Sequence, residues 1–236
     1  EYDISFMEPW FLDRRLAFSL DLYQSEVEYS DYDVERMGVS PALSTALPWN
    51  NRIELRYRLE WDKVTDLADT NEYIVVDTGE PYYFDWEEDA TKSSVTLTLS
   101  HDTRDNAFVP TRGTLASLFY TVTGGPFGFD TDLYRVGARG RQFYSPWFKH
   151  VISAQVRYEV VDGYGDTEEV GITDRLFIGG GRTIRGFDYR DVGPKAVPAD
   201  DPDGDSYRPL GGQSLAFASA EYSIPLVKAI RLAAFY

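Results

Sequence analysis

The stretch "RIELRYRLEWD", residues 52–62, alternates without a break. Ile53, Leu55, Tyr57, Leu59 and Trp61 fall on one parity; Arg52, Glu54, Arg56, Arg58, Glu60 and Asp62 fall on the other. A period of two places the apolar set on one face of a strand and six charges on the opposite face, whereas a helix would scatter both sets around its axis. This is a β-strand between two different environments, and the nature of those environments decides the fold.

The same parity recurs along the chain. Leu16, Phe18, Leu20 and Leu22 alternate with Ala17, Ser19, Asp21 and Tyr23; Val95, Leu97 and Leu99 alternate with Ser94, Thr96, Thr98 and Ser100. Ile152, Ala154, Val156, Tyr158 and Val160 alternate with Ser153, Gln155, Arg157 and Glu159. Further strand candidates are 34–47, 113–124, 131–146, 213–225 and 229–236, separated by the turn-forming runs "PWNN" (48–51), "PTRG" (110–113), "GGPFGFD" (124–130) and "SPWFK" (145–149). No helical period of comparable length competes. The chain reads as all-β, a meander of long antiparallel strands.

Two architectures fit. A soluble sandwich or barrel turns the apolar faces inward; a transmembrane barrel turns them outward to lipid around a polar lumen. For a single strand the two are equally good. Aromatic residues recur near strand ends, at Trp10–Phe11, Trp49, Trp61, Phe143–Tyr144 and Trp147–Phe148, as in the interfacial girdles of membrane barrels. Long connections at about 67–91 and 164–212 are interleaved with short ones, although those at 30–33 and 124–130 are short as well. The pattern favours an antiparallel transmembrane β-barrel, with Leu16, Phe18, Leu20, Leu22, Ile53, Leu55, Leu59, Val95, Leu97, Leu99, Ile152 and Val156 facing lipid. Arg56, Arg58, Thr96, Thr98 and Arg157 then face the lumen.

Composition narrows the chemistry. The 236 residues carry a formal net charge of −16, which argues against sequence-independent nucleic-acid binding. With no Cys and only His101 and His150, disulfides and thiolate sites are excluded and a zinc site is improbable. "HDTRD" (101–105) pairs His101 with Asp102 but places no nucleophile beside them, so a Ser-His-Asp enzyme is not supported. In "DDPDGDSY" (200–207), Asp201, Asp203 and Asp205 alternate, but the EF-hand glycine and terminal acid are missing; a solvated acidic loop fits better than an ion site.

One basic stretch stands against the acidic background: "GGGRTIRGFDYRDVGPKA", residues 179–196. It lacks the spacing of a phosphate-binding loop and no strand–helix unit follows it. It resembles the long extracellular loop of the BamA family of outer-membrane barrel-assembly proteins, where a glycine-rich segment leads into [V/I]-R-G-[F/Y] and then G-P. Here the motif is Ile184-Arg185-Gly186-Phe187, with Gly193-Pro194-Lys195 behind it. "DTRDNAFVPTRG" (102–113) resembles the family's D-x-R-x-x-x-F-x-P-T-x-G junction, carried here by Asp102, Arg104, Phe108, Pro110, Thr111 and Gly113. "FASAEYSIPL" (217–226) resembles the strand after the motif loop. Order and separation also match, so the resemblance covers essentially the whole chain.

The resemblance implies a single domain, residues 1–236, forming the central part of a sixteen-stranded outer-membrane barrel. The chain would begin at the end of one strand, carry about nine more and stop early in the last. The first and last barrel strands and the periplasmic POTRA domains would lie outside it. Residues 164–212 would be the extracellular loop, folded into the lumen, with Arg185 as a latch on an acid of the inner wall. Glu221 is the matching acid in this chain, and a second would follow the aromatic run "AAFY", beyond Tyr236. Phe187 would anchor the loop tip among wall side chains, while Arg182, Arg190 and Lys195 would be secondary. If the Arg185–Glu221 pair is buried, Arg185→Ala costs about 3–5 kcal/mol; the plain alternative is a solvated loop arginine. Pro110–Gly113 reads as a tight, structural periplasmic turn.

The implied function is insertion and folding of β-barrel proteins in the bacterial outer membrane, without catalytic residues, cofactor or metal. Implied partners are nascent outer-membrane proteins, outer-membrane lipid and, through the POTRA domains, barrel-assembly lipoproteins. Alternatives are a related translocation-and-assembly or two-partner secretion transporter, or a passive porin lined by Arg52, Arg56 and Arg58.

Overall fold

The computed structural model describes residues 1–29, 32–65, 72–83, 89–181, 183–201, 207–227 and 230–236. In chain order its strands are β1 (Tyr2–Glu8), β2 (Ala17–Glu28), β3 (Asp33–Leu47), β4 (Asn51–Thr65), β5 (Glu72–Val75), β6 (Pro81–Tyr83), β7 (Asp89–Asp102), β8 (Gly113–Thr123), β9 (Leu133–Tyr144), β10 (Val151–Gly163), β11 (Lys195–Pro198), β12 (Arg208–Pro209), β13 (Ser214–Val227) and β14 (Ile230–Phe235). Ten of them form one open antiparallel sheet in the order β1-β2-β3-β4-β7-β8-β9-β10-β13-β14. Every expected strand is present, and Leu16 lies one residue ahead of β2.

Register explains why the alternation is so regular. Phe18 pairs with Leu43, Leu43 with Leu55, Leu55 with Leu97, Leu97 with Tyr120, Tyr120 with Val136 and Val136 with Val160. That is one continuous apolar row across seven strands. The adjacent row on the opposite face runs Ser44, Glu54, Thr98, Phe119, Gly137, Glu159 and Leu215. Because side-chain period is two, a slip of one residue anywhere would exchange the two faces, so each strand fixes its neighbour's register.

The apolar face is bare. Leu55, Leu97, Leu118 and Val156 are 51%, 47%, 57% and 57% exposed, with Leu22, Leu99 and Ile152 also exposed. A soluble sheet this long would bury such a face, since large contiguous apolar surfaces are not left to water. The polar face is the covered one: the segment between β10 and β13 packs on it. Val170 and Leu176 join Leu133, Val161 and Leu215, while Ile172 joins Val34 and Val64. This is the inside-out arrangement of a transmembrane barrel, with the polar face as lumen.

The connections sort by end. Those at 9–16, 48–50, 103–112 and 145–150 lie at one end of the sheet, and those at 29–32, 66–88, 124–132 and 164–213 at the other. Both long connections share an end. The structure also adds what local periodicity could not supply: β5, β6, β11 and β12 form a second sheet, in the order β12-β11-β5-β6. Val75 pairs with Ala196 and Tyr73 with Pro198, and Tyr73, Ala196 and Leu210 form a small buried core. These segments are two to four residues long, too short for a periodic signal, and the β5–β11 pairing that joins the two local pairs links residues more than a hundred positions apart.

The junction expected as a tight turn at Pro110–Gly113 is a longer compact loop. Asp105 accepts hydrogen bonds from the Thr111 hydroxyl and from the amides of Thr111 and Arg112. Those bonds hold its carboxyl down to about 2. Asn106 accepts from the amides of Phe108 and Val109, and Arg104 forks onto Asp102 at 2.7 and 2.9 Å. Gly113 closes the loop with φ +101, where a Cβ would meet the Thr103 carbonyl oxygen at 2.2 Å. Phe108 is almost fully exposed at the tip and belongs to no core. The sequence signature marks a side-chain-braced loop, which turn residues alone do not distinguish from a four-residue turn.

Candidate functional site

The loop between β10 and β13 crosses the polar face and is fastened at two places. The first fastening is the motif. Gly186 has φ +95, a left-handed conformation that suits glycine and reverses the chain beside Arg185. Arg185 Nη1 lies 2.7 Å from Glu221 Oε2 on β13. Its guanidinium carbon sits 4.5 Å from the Phe235 ring centroid on β14, and its Nε donates to the Gly181 carbonyl at 3.4 Å. Glu221 and Phe235 are cross-strand partners, so the arginine caps one rung of the β13–β14 pair.

The pair is only partly enclosed: the Arg185 and Glu221 side chains are 41% and 29% exposed. The 3–5 kcal/mol of a fully buried pair therefore does not apply. We expect Arg185→Ala to cost about 1 kcal/mol from the half-exposed ion pair, with a similar increment from the ring contact. Lys should recover the charge but not the fork. The check is the temperature at which the full-length barrel loses its compact mobility on a semi-native gel. Phe187 departs from the expected anchor role: it is 54% exposed, with Ile184 the more enclosed of the two motif hydrophobics. Lys195 is tied to Asp191 at 2.7 Å and lies over the Tyr207 ring, whereas Arg182, Asp203 and Asp205 fall outside the described residues. Asp201 is exposed and its amide donates to the Pro198 carbonyl.

The second fastening is a buried ionic cluster that no motif announced. Lys92 on β7 donates to Asp62 at 2.9 Å, to Asp174 at 2.8 Å and to the Thr173 hydroxyl at 2.9 Å. Arg36 on β3 shares Asp62 at 2.9 Å and reaches Glu60 at 3.5 Å. The Lys92 and Asp62 side chains are 9% and 3% exposed. Parity was the available signal: Lys92 continues the inward series Ser94, Thr96, Thr98, and Asp62 ends the charged row of β4. The loop half, Thr173 and Asp174, carried no periodic signal.

A further ionic cluster lies within the wall itself. Glu159 on β10 accepts from Arg139 Nε at 2.7 Å and from Arg157 Nε and Nη2 at 2.7 and 3.0 Å. Its side chain is 1% exposed. Arg56, read as a possible pore-lining arginine, is bound to Asp21 at 2.7 Å and Glu54 at 3.0 Å. Arg190, taken as secondary, is the most enclosed of the described arginines of the motif loop at 8% exposed. Its guanidinium carbon lies 3.4 Å from the Phe177 ring centroid and 4.3 Å from that of Tyr29. Among the described residues no group of three or more metal-ligating side chains occurs. The arrangement holds a loop against a polar wall.

Known proteins share this architecture. The family model of the Omp85 superfamily domain matches residues 1–236. The outer membrane protein assembly factor BamA of Nitratidesulfovibrio vulgaris is 27% identical over 220 residues, which span 92% of this chain and 26% of that protein. The SAM50-like protein of Schizosaccharomyces pombe is 24% identical over 204 residues, 84% of this chain and 39% of that one. Among solved structures, BamA from Haemophilus ducreyi lacking POTRA domains 1–3 superposes with a TM-score of 0.77 at 19% identity, covering 99% of this chain and 48% of that one. The chain thus spans from about a quarter to under half the length of these proteins.

Proposed function

Because the chain belongs to the Omp85 superfamily, we propose that it is the central part of the barrel of an outer-membrane insertase, a protein that folds other β-barrel proteins into the bacterial outer membrane. The observation that carries this reading is the likeness along 92% of the chain to a protein named for outer-membrane protein assembly. The loop laid across the polar face supports it. Arg56 is neutralised by two carboxylates, and the loop occupies the space a passive pore would leave open.

The work is physical. A barrel edge with unpaired N–H and C=O groups offers pairing to an incoming strand, and a short apolar band thins the bilayer around it. The proposal includes no cofactor and no chemical step. Its partners are unfolded outer-membrane proteins, the lipid around the bare apolar face, and lipoproteins that would dock on domains outside this chain. The motif loop is assigned the role of a latch, holding the wall at β13 and β14 in register.

The test uses the full-length protein in liposomes and a urea-denatured outer-membrane barrel as substrate. Faster appearance of the compact, protease-protected substrate than with empty liposomes is expected. Equal rates in the two, or a single large steady conductance state in planar bilayers, would sink the reading.

A further inference from the structure

We infer that the cavity between the motif loop and the inner face of β2, β3, β9 and β10 binds a phosphoryl group. Its volume is about 640 Å³, and Arg36, Arg135, Arg157, Arg175 and Arg190 line it, with no Asp or Glu among the described lining residues. In a chain of formal net charge −16, that is a local inversion of sign.

Three of the five are neutralised from behind the cavity wall: Arg36 by Asp62, Arg157 by Glu159 and Arg175 by Glu169. Arg135 donates to the backbone carbonyl of Asp174, a neutral acceptor. Arg190 makes no ion pair among the described residues, and its buried Nε has no hydrogen-bond partner. The Phe177 and Tyr29 rings offset part of the cost of enclosing that guanidinium, but they leave its Nε–H unfilled.

Two guanidiniums that make no ion pair among the described residues, lining one cavity, match the charge of a phosphate monoester and the fork geometry by which arginine holds it. The cavity is far larger than a phosphate ion. The remaining space lies against Tyr32, Val34 and Ile172, which suits an organic body carrying the phosphoryl group. The same head chemistry belongs to free phosphate and to a lipid headgroup, and the experiment separates them.

The full-length protein in a non-ionic detergent is titrated with inorganic phosphate and, separately, with dihexanoyl phosphatidic acid, at ionic strength held constant with chloride. Binding is followed by 31P NMR line broadening. Saturable binding of phosphate, or of the short-chain lipid alone, is expected, the first meaning that the phosphoryl group suffices and the second that a headgroup is required. Arg190→Gln and Arg135→Gln should each weaken it about tenfold or more, the loss of a charge-assisted pair, with Arg190→Lys intermediate. Should Arg190→Gln fail to give a compact barrel, Arg135→Gln alone decides. No saturable binding of either probe, or affinities unchanged in the Gln variants, overturns the inference. The readout is independent of insertion activity, so its failure leaves the proposed function standing.

Discussion

Lys92→Met will lower the unfolding temperature of the full-length barrel more than any change in the Ile184–Phe187 motif. Among the described residues, Lys92 is the only link between wall and loop in which the cation and one of its acids are both buried: the side chains of Lys92 and Asp62 are 9% and 3% exposed. Removing the ammonium strands Asp174, which has no other ion pair among the described residues, and leaves Asp62 to Arg36 alone. Breaking a buried pair by deleting one partner costs about 3–5 kcal/mol, because the remaining charge is neither solvated nor matched. Methionine keeps most of the aliphatic volume, so lost packing is a minor part of the effect. The double change Lys92→Met with Asp174→Asn should recover part of the loss. A double mutant as unstable as the sum of its singles would show that the charge was not the cause. Semi-native gel mobility across a temperature series reads both, and proteolysis between β10 and β13 reports whether the loop has come away.

Glu159→Gln is the second large effect. Its carboxylate accepts three charge-assisted hydrogen bonds from Arg139 and Arg157 and is almost wholly buried. Glutamine fits the same space but carries no charge, and its amide group would turn donors toward donors. The expected cost is again about 3–5 kcal/mol, toward the lower end because the Arg139 side chain is 55% exposed and can hydrate. A midpoint unchanged within error would mean that water already reaches this cluster.

What the sequence disclosed and what it withheld divide along one line. The strands were legible because each is long and presents opposite chemistries on its two faces, so the parity of β4, Ile53 to Trp61 against Arg52 to Asp62, separates the two faces, and its recurrence with aromatic strand ends says which one meets lipid. Arg185 and Glu221 were legible through a motif, and the structure brings them together at 2.7 Å. How enclosed they are was not, since burial depends on how the loop lies over the wall. The Lys92–Asp62–Asp174 cluster joins residues 30 and 82 positions apart, and the β5–β11 pairing joins two loops. Such contacts are properties of closure in three dimensions, and no local pattern encodes them. The enclosure of Arg190, read as secondary, was illegible for the same reason: Tyr29 and Tyr32 lie far from it in sequence and Phe177 on another part of the loop.

The claim on which everything else rests is that the apolar rows face lipid and the charged rows face a polar lumen. The chain contains no cysteine, so single cysteines can be placed within it at will. Spin labels at Leu55, Leu97, Leu118 and Val156, and at Thr96, Thr98 and Thr121, would be compared in full-length protein reconstituted in liposomes. The account predicts high accessibility to oxygen for the first set and to a water-soluble nickel chelate for the second, alternating residue by residue along β7. Chelate accessibility at Leu97 equal to that at Thr96, or oxygen accessibility that does not alternate, would contradict it.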